Sequence, residues 1–234
     1  MRTTRRSSLT VICGLAGWML LGLATPRAEA QLYGIDVSSY QGTVNWTSVK
    51  NSGKTFAFAK ATEGTTYKDP TFAANWAGMK NAGITPGAYH YGHPNTDAVA
   101  QAKYFVNTVK AAQGGLSGGL QLVLDIETTD GQSAATVKAW IKTFMTEIQT
   151  LTGKPGIIYT GFYFWRDSAG NSTDNYNCPL WIASYTASPS IPAAWTSYTF
   201  WQYSDTGSVS GVSGNVDLDK FNGSATNLAK LKFP

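Results

Sequence analysis

The sequence predicts an α/β fold, a (β/α) TIM-like barrel with eight strands and a reduced set of helices, and three observations carry that prediction. Short apolar or alternating runs of strand length recur eight times. In the first half of the chain an amphipathic stretch follows each run. Strand and helix therefore alternate four times, which implies parallel strands joined by right-handed crossovers. In the second half the runs continue while helical stretches become few. A doubly wound open sheet uses the same ingredients and is the structural alternative. In both, chemistry belongs at the C-terminal ends of the strands.

The chain opens on a segment outside that fold. Arg2, Arg5 and Arg6 form a positive n-region, residues 9–23 are apolar but short for a membrane span, and Ala28-Glu29-Ala30 supplies a small-x-small cleavage site. Residues 1–30 are therefore expected to be a signal peptide, and residues 31–234 a single catalytic barrel domain beginning at Gln31. Thr4-Arg5-Arg6-Ser7-Ser8-Leu9 resembles a twin-arginine signal, with the general export route as the competing reading. Either route makes the protein secreted or periplasmic, with no membrane association once the leader is removed.

The strands are expected at 33–37, 55–61, 85–91, 120–126, 156–160, 180–184, 198–203 and 216–218. The helices are expected at 46–51, 70–82, 97–112 and 133–151. Pro70 suits a first helical position, Gly83 a position just past a helix end, and Ser133 an N-cap.

The leader takes four of the 18 basic residues and one of the 14 acidic ones, so the net charge of +4 falls to +1 in the remaining chain. No basic cluster with interleaved aromatics is left, so nucleic-acid binding has no support. Cys13 leaves with the leader, so no intramolecular disulfide is expected, and a partly buried, inert thiol is the expected state of Cys178. Seven Trp and twelve Tyr after the leader are heavy aromatic loading. Such rings stack on sugars or fill cores.

Acidic residues carry the functional signal. Leu122-Val123-Leu124-Asp125-Ile126-Glu127 ends an apolar run in two carboxylates two residues apart, which strand periodicity puts on one face. Asp36 closes the first strand, Glu63 follows the second and Asp217 sits in the last. Five acids converging on one rim of a barrel would make a proton-handling cleft, the requirement for cutting an unreactive bond such as a glycosidic linkage. No phosphate loop, nucleophile elbow, zinc spacing or calcium loop accompanies them, so neither cofactor nor metal is expected.

At this point the motifs resemble those of the glycoside hydrolase family 25 lysozymes, the Chalaropsis-type N-acetylmuramidases. The resemblance rests on Asp36-Val37-Ser38-Ser39-Tyr40-Gln41-Gly42, Lys60-Ala61-Thr62-Glu63-Gly64-Thr65-Thr66-Tyr67-Lys68-Asp69, Gly87-Ala88-Tyr89-His90-Tyr91 and Leu124-Asp125-Ile126-Glu127. Trp181-Ile182-Ala183, Trp201-Gln202-Tyr203 and Asn215-Val216-Asp217 complete the series in the family's order. Gly92-His93-Pro94 departs from it, standing where many members carry an arginine-containing loop.

The resemblance implies a flattened barrel and hydrolysis of the β-1,4 bond between N-acetylmuramic acid and N-acetylglucosamine. Bacterial peptidoglycan would be the partner of a monomeric enzyme that retains configuration with help from the substrate's acetamido group. It makes Glu127 the general acid and later base, its proton affinity raised by an ionised Asp125 beside it. Asp125 would stabilise developing charge or orient the acetamido group, with Asp36 and Asp217 positioning the pair.

Glu63, Tyr67, Tyr89, Tyr159, Trp181 and Trp201 are the expected substrate-binding residues. For Glu63 an ion pair with Lys60 is an equal reading, and for the aromatic residues core filling is a close one. His90, inside a strand, is expected to be structural. A non-catalytic glycan-binding protein and a hydrolase of chitin-type oligomers are the alternatives in function.

Overall fold

The computed structural model describes residues 1, 3, 30–174 and 177–234. The expected leader, with its twin-arginine motif and Cys13, lies outside the described residues. Nine strands make one sheet: β1 (Leu32–Val37), β2 (Lys54–Glu63), β3 (Tyr67–Lys68), β4 (Thr85–Tyr91), β5 (Val123–Asp125), β6 (Ile157–Gly161), β7 (Leu180–Ala183), β8 (Phe200–Gly207) and β9 (Val216–Phe221). The helices are α1 (Trp46–Asn51), α2 (Phe72–Asn81), α3 (Ala98–Lys110), α4 (Ala134–Thr152), α5 (Phe162–Asp167) and α6 (Ala225–Lys230).

The sheet order β1-β9-β8-β7-β6-β5-β4-β2 closes through a β1–β2 pairing, so eight strands form a barrel and β3 is a short hairpin partner of β2. Six neighbouring pairs are parallel, and β9 alone runs against both of its neighbours, β8 and β1. This reversal, in the half of the chain for which no strand direction is expected from sequence, has a consequence for the site. The start of β9 lies at the rim where the parallel strands end, which is how Asp217, near that start, comes to face Asp36 in register.

Several boundaries also differ. Helix α2 starts at Phe72 and not at Pro70, because Asp69 accepts hydrogen bonds from the Thr71 amide (2.8 Å) and hydroxyl (2.6 Å) and ends the preceding loop there. Strand β5 is only three residues long. Leu120 is bridged to Lys232, and the Gln121 amide donates to the Leu231 carbonyl, so the C-terminal tail takes the start of the expected run. Helices α5 and α6 and the β3 hairpin were not anticipated; each is six residues or fewer, too short for a periodic signal. Asp97 and Ser133 cap α3 and α4.

Alternation along each strand sorts residues between the barrel's interior and the layer under the helices. Ile35, Ala57, Ala88, Leu124 and Ile158 face outward beneath α2, α3 and α4, in one cluster with Trp76, Phe105 and Phe144. Phe56, Phe58, Val123, Ile157, Trp181, Phe200 and Phe221 fill the interior. Gly34 and Gly87 make room for the two Phe side chains of β2. A Cβ at Gly34 would stand 2.3 Å from the Phe56 ring, and one at Gly87 only 2.1 Å from Phe58.

Candidate active site

Climbing the interior towards the C-terminal rim, the side chains turn from apolar to acidic. Val123 gives way to Asp125 and then Glu127, Phe200 to Gln202, and on the reversed strand Phe221 to Asp219 and Asp217. Asp36, Tyr89, Asp125, Glu127, Tyr159, Trp181, Gln202 and Asp217 line a pocket of about 120 Å³ at the top of the barrel. Among the described residues, none of its carboxyls forms an ion pair.

The two walls hold their acids differently. On β5, Asp125 is 7% exposed and its Oδ1 has no hydrogen-bond partner, whereas Glu127 stands exposed at the mouth. Burial pushes Asp125 well above the usual carboxylate range, and the charge of Glu127 adds to the rise. Glu127 is raised by desolvation with a contribution from Asp217, and the field of Lys60 works against the rise in both. Both members of the pair are thus raised, with burial the first cause in each.

On the opposite wall Asp36 and Asp217 pair across β1 and β9, and Asp219 lies one layer deeper, fully buried. Gln202 Nε2 donates to Asp36 Oδ2 (2.8 Å), while Gln202 Oε1 accepts from the hydroxyls of Tyr159 (2.9 Å) and Tyr185 (2.8 Å). The Trp181 indole donates to Asp219 Oδ1 (2.9 Å), and the carboxyls of Asp36 and Asp219 lie within hydrogen-bonding reach of each other. Burial, then the neighbouring carboxylates, push Asp36 well above the ordinary range. Burial does the same to Asp219, with Asp217 adding to the rise.

Of the side chains expected to touch sugar, Tyr89, Tyr159 and Trp181 line this pocket. Glu63 and Tyr67 instead line an adjoining groove of about 270 Å³ with His93. There Glu63 is held by Lys60 (2.5 Å) and His93 (3.1 Å), and His93 also reaches Asp130 (3.0 Å). Burial favours neutrality in Glu63, but the hydrogen bonds of Lys60 and His93 win and lower its pKa.

Trp201 is not brought to the pocket. Its neighbour in β8, Gln202, takes the inward position, and Trp201 packs outward with Leu180 and Ile182 under the ring of Tyr198, its indole bonded to the Ser184 carbonyl (2.7 Å). His90 is also outward and fully buried, between the Thr62 hydroxyl (2.7 Å) and Gln101 (2.9 Å), and burial lowers it to about 4.

Sequence reasoning missed Asp219, Gln202 and Tyr185. A signal for Asp219 was present, since Asp217-Leu218-Asp219 repeats the spacing that singled out Asp125 and Glu127. No group of three or more His, Cys, Asp or Glu side chains among the described residues is placed to hold a metal ion.

Comparison with known proteins agrees with this geometry. The profile of the Glycosyl hydrolases family 25 matches residues 35–212. The chain is 42% identical to lysozyme M1 of Streptomyces globisporus over 88% of its own length and 73% of the relative's. It is 36% identical to an N,O-diacetylmuramidase of Arthroderma benhamiae over 96% and 97%. Among solved structures it superimposes on the bacterial lysozyme from Streptomyces coelicolor with a TM-score of 0.81 at 42% identity, covering 87% of this chain and 97% of that one.

Proposed function

The chain belongs to the Glycosyl hydrolases family 25, and from that membership we propose that it is a muramidase. It cleaves the β-1,4 bond between N-acetylmuramic acid and N-acetylglucosamine in bacterial peptidoglycan, with retention and with assistance from the substrate's acetamido group. The observation that supports this reading most is the unequal pair on β5, a buried Asp125 with an orphaned oxygen beneath an exposed Glu127.

A buried acceptor left unpaired costs about 1–3 kcal/mol, which a substrate N–H at Asp125 Oδ1 would recover. The acetamido N–H of a muramic acid residue seated in the pocket is such a donor. The two carboxyls titrate as a unit. A sugar covering the mouth strips water from Glu127 and draws the shared proton to it from Asp125. Glu127 then gives that proton to the departing glycosidic oxygen while the acetamido oxygen attacks the anomeric carbon, and the Asp125 carboxylate accepts the N–H. In the second step Glu127 takes a proton from water as the water adds to the anomeric carbon and releases the acetamido oxygen. Asp36 and Asp217 hold the far wall. The protein acts as an exported monomer, its leader removed before Gln31.

The test uses protein collected after export, whose first residue is expected to be Gln31. Turbidity clearing of bacterial walls by Glu127→Gln should fall by about 10²–10⁴-fold against wild type. Mass spectrometry of the products should show muramic acid at the new reducing ends. Clearing that survives the substitution removes the acid from the mechanism, and preferential cutting of chitin oligomers would replace the substrate.

A further inference from the structure

The end of the barrel opposite the pocket carries the reverse charge. There the parallel strands begin and the helices end, and six lysines scattered through the sequence are gathered. Lys50, Lys80 and Lys110 stand in the last turns of α1, α2 and α3, Lys154 just past the end of α4, Lys230 at the end of α6 and Lys232 shortly after it. Lys50, Lys110 and Lys230 are exposed, and the other three are half-buried. Two grooves run between them. One, of about 230 Å³, is lined by Lys50 and Lys232, and the other, of about 570 Å³, by Lys154, Lys230 and Lys232. Lys232 and Ala229 belong to both linings, so the grooves adjoin.

No Asp or Glu lines either groove, and among the described residues none of the six ammonium groups forms an ion pair. Glu147, the acid on the nearby stretch of α4, is turned to Lys103 (3.9 Å). What the lysines meet instead is backbone. Lys50 donates to the Gly83 carbonyl (2.8 Å), Lys80 to Ser117 (2.9 Å), Lys110 to Leu151 (3.2 Å) and Lys154 to Lys232 (2.7 Å). Each bond ties one element's end to a neighbouring one and fixes a charge in place. The charges are not cancelled, because a helix C-terminus offers about half a negative charge against a full positive one on each lysine.

We propose that this face binds a linear polyanion of phosphodiester-linked polyols, the chemistry of the teichoic-acid type chains that accompany peptidoglycan in bacterial walls. The choice of a wall polymer rests on the muramidase reading. The charge complementarity is that of lysines without acidic partners against a row of phosphates. Adjoining grooves suit a flexible chain, whereas a membrane presents a flat sheet of charge. A nucleic acid would want rings on which its bases stack, and the one aromatic side chain lining either groove, Phe233, is buried. Because the face lies at the far end of the barrel, a bound chain leaves the acid-lined pocket uncovered and holds the enzyme at the wall that it cuts.

The probe is lipid-free polyglycerol phosphate, titrated into the exported protein. Binding should be measurable at low salt and should weaken steeply as salt is raised. The double variant Lys230→Gln with Lys232→Gln removes two charges whose side chains make no hydrogen bond among the described residues. It should bind the polymer about 10-fold more weakly, with Tm and the kcat/KM for short uncrosslinked glycan oligomers unchanged. On walls that retain such a polymer it should clear more slowly than wild type, and on walls stripped of the polymer the two should be equal. Absence of binding to polyglycerol phosphate, or binding that the double variant keeps in full, overturns the proposal. Tighter binding to phosphatidylglycerol vesicles than to the polymer overturns it in favour of a lipid surface. Failure of wild type to cut the glycan oligomers, with polymer binding intact, overturns the muramidase reading and leaves the polyanion surface standing.

Discussion

The lower and upper halves of the barrel interior are built on the same strands with the same period of two, yet their chemistry is opposite. Below, Phe56, Phe58, Val123, Phe200 and Phe221 interlock with ring centroids 5.0–5.9 Å apart among the four Phe. Above, Asp36, Asp125, Glu127, Asp217 and Asp219 gather, and among the described residues none of them forms an ion pair. The contrast teaches that the two halves act on each other. The aromatic plug excludes water from beneath, and that desolvation is the first cause of the raised proton affinity in all five acids. The carboxyls thus stand on top of a dry core, not in a wet cleft.

Breaking the lower half should have the largest effect. Phe58 is fully buried and stacks on Trp181 at 4.3 Å, so it connects the plug to the pocket wall. Phe58→Ala leaves a cavity there and should cost about 3–5 kcal/mol in denaturant unfolding. Because Trp181 also bonds Asp219, the variant should lose activity at temperatures where it is still folded. Unfolding at the wild-type denaturant midpoint would mean that the plug is not what holds the rim in place.

The upper half should respond in the opposite sense. Asp219 has a raised pKa in the folded protein, so the native state binds its proton more tightly than the unfolded chain does. The stability this contributes is fully present below the ordinary carboxylate value of about 4 and is lost as pH rises through the folded-state value. Asp219→Asn keeps an oxygen for the Trp181 indole and cannot ionise. Relief of one buried carboxylate should stabilise by about 1–3 kcal/mol. That corresponds to about 2–4 °C in Tm per kcal/mol for a chain of this size. The gain should appear at pH 8 and vanish at pH 4. A gain of equal size at both pH values would show that packing, and not charge, is responsible.

Much of this division was legible in the sequence. The eight runs and the Asp125/Glu127 spacing are periodic features, and periodicity survives without coordinates. What was not legible depends on direction and layer. Nothing local distinguishes a last strand that runs backwards from one that runs forwards, yet the reversal is what brings Asp217 to the rim. Reading Trp201 as a sugar platform gave weight to residue type over alternation, although Gln202 beside it had to face the other way. Asp219 lies one residue beyond the expected last run, which ends at Leu218, so its place in the barrel interior has no periodic signal.

The smallest expected effect sharpens the comparison most, because it concerns a cation whose field reaches both acids of β5. Lys60 follows Phe56 and Phe58 on the inward face of β2, so it stands where the plug ends and the acids begin. Its ammonium is bonded to Glu63 and lies 5.1 Å from the Tyr91 ring centre, touching neither member of the β5 pair, yet its field lowers the pKa of both. Lys60→Met keeps the stem and removes the charge. Asp125 and Glu127 should both rise further, so Glu127 keeps its proton to higher pH. The alkaline limb of kcat/KM should then move upward by a few tenths of a pH unit, with Tm reporting that the fold is intact. Movement of that limb to lower pH would show that Lys60 holds the rim by its bond to Glu63 and not by its field.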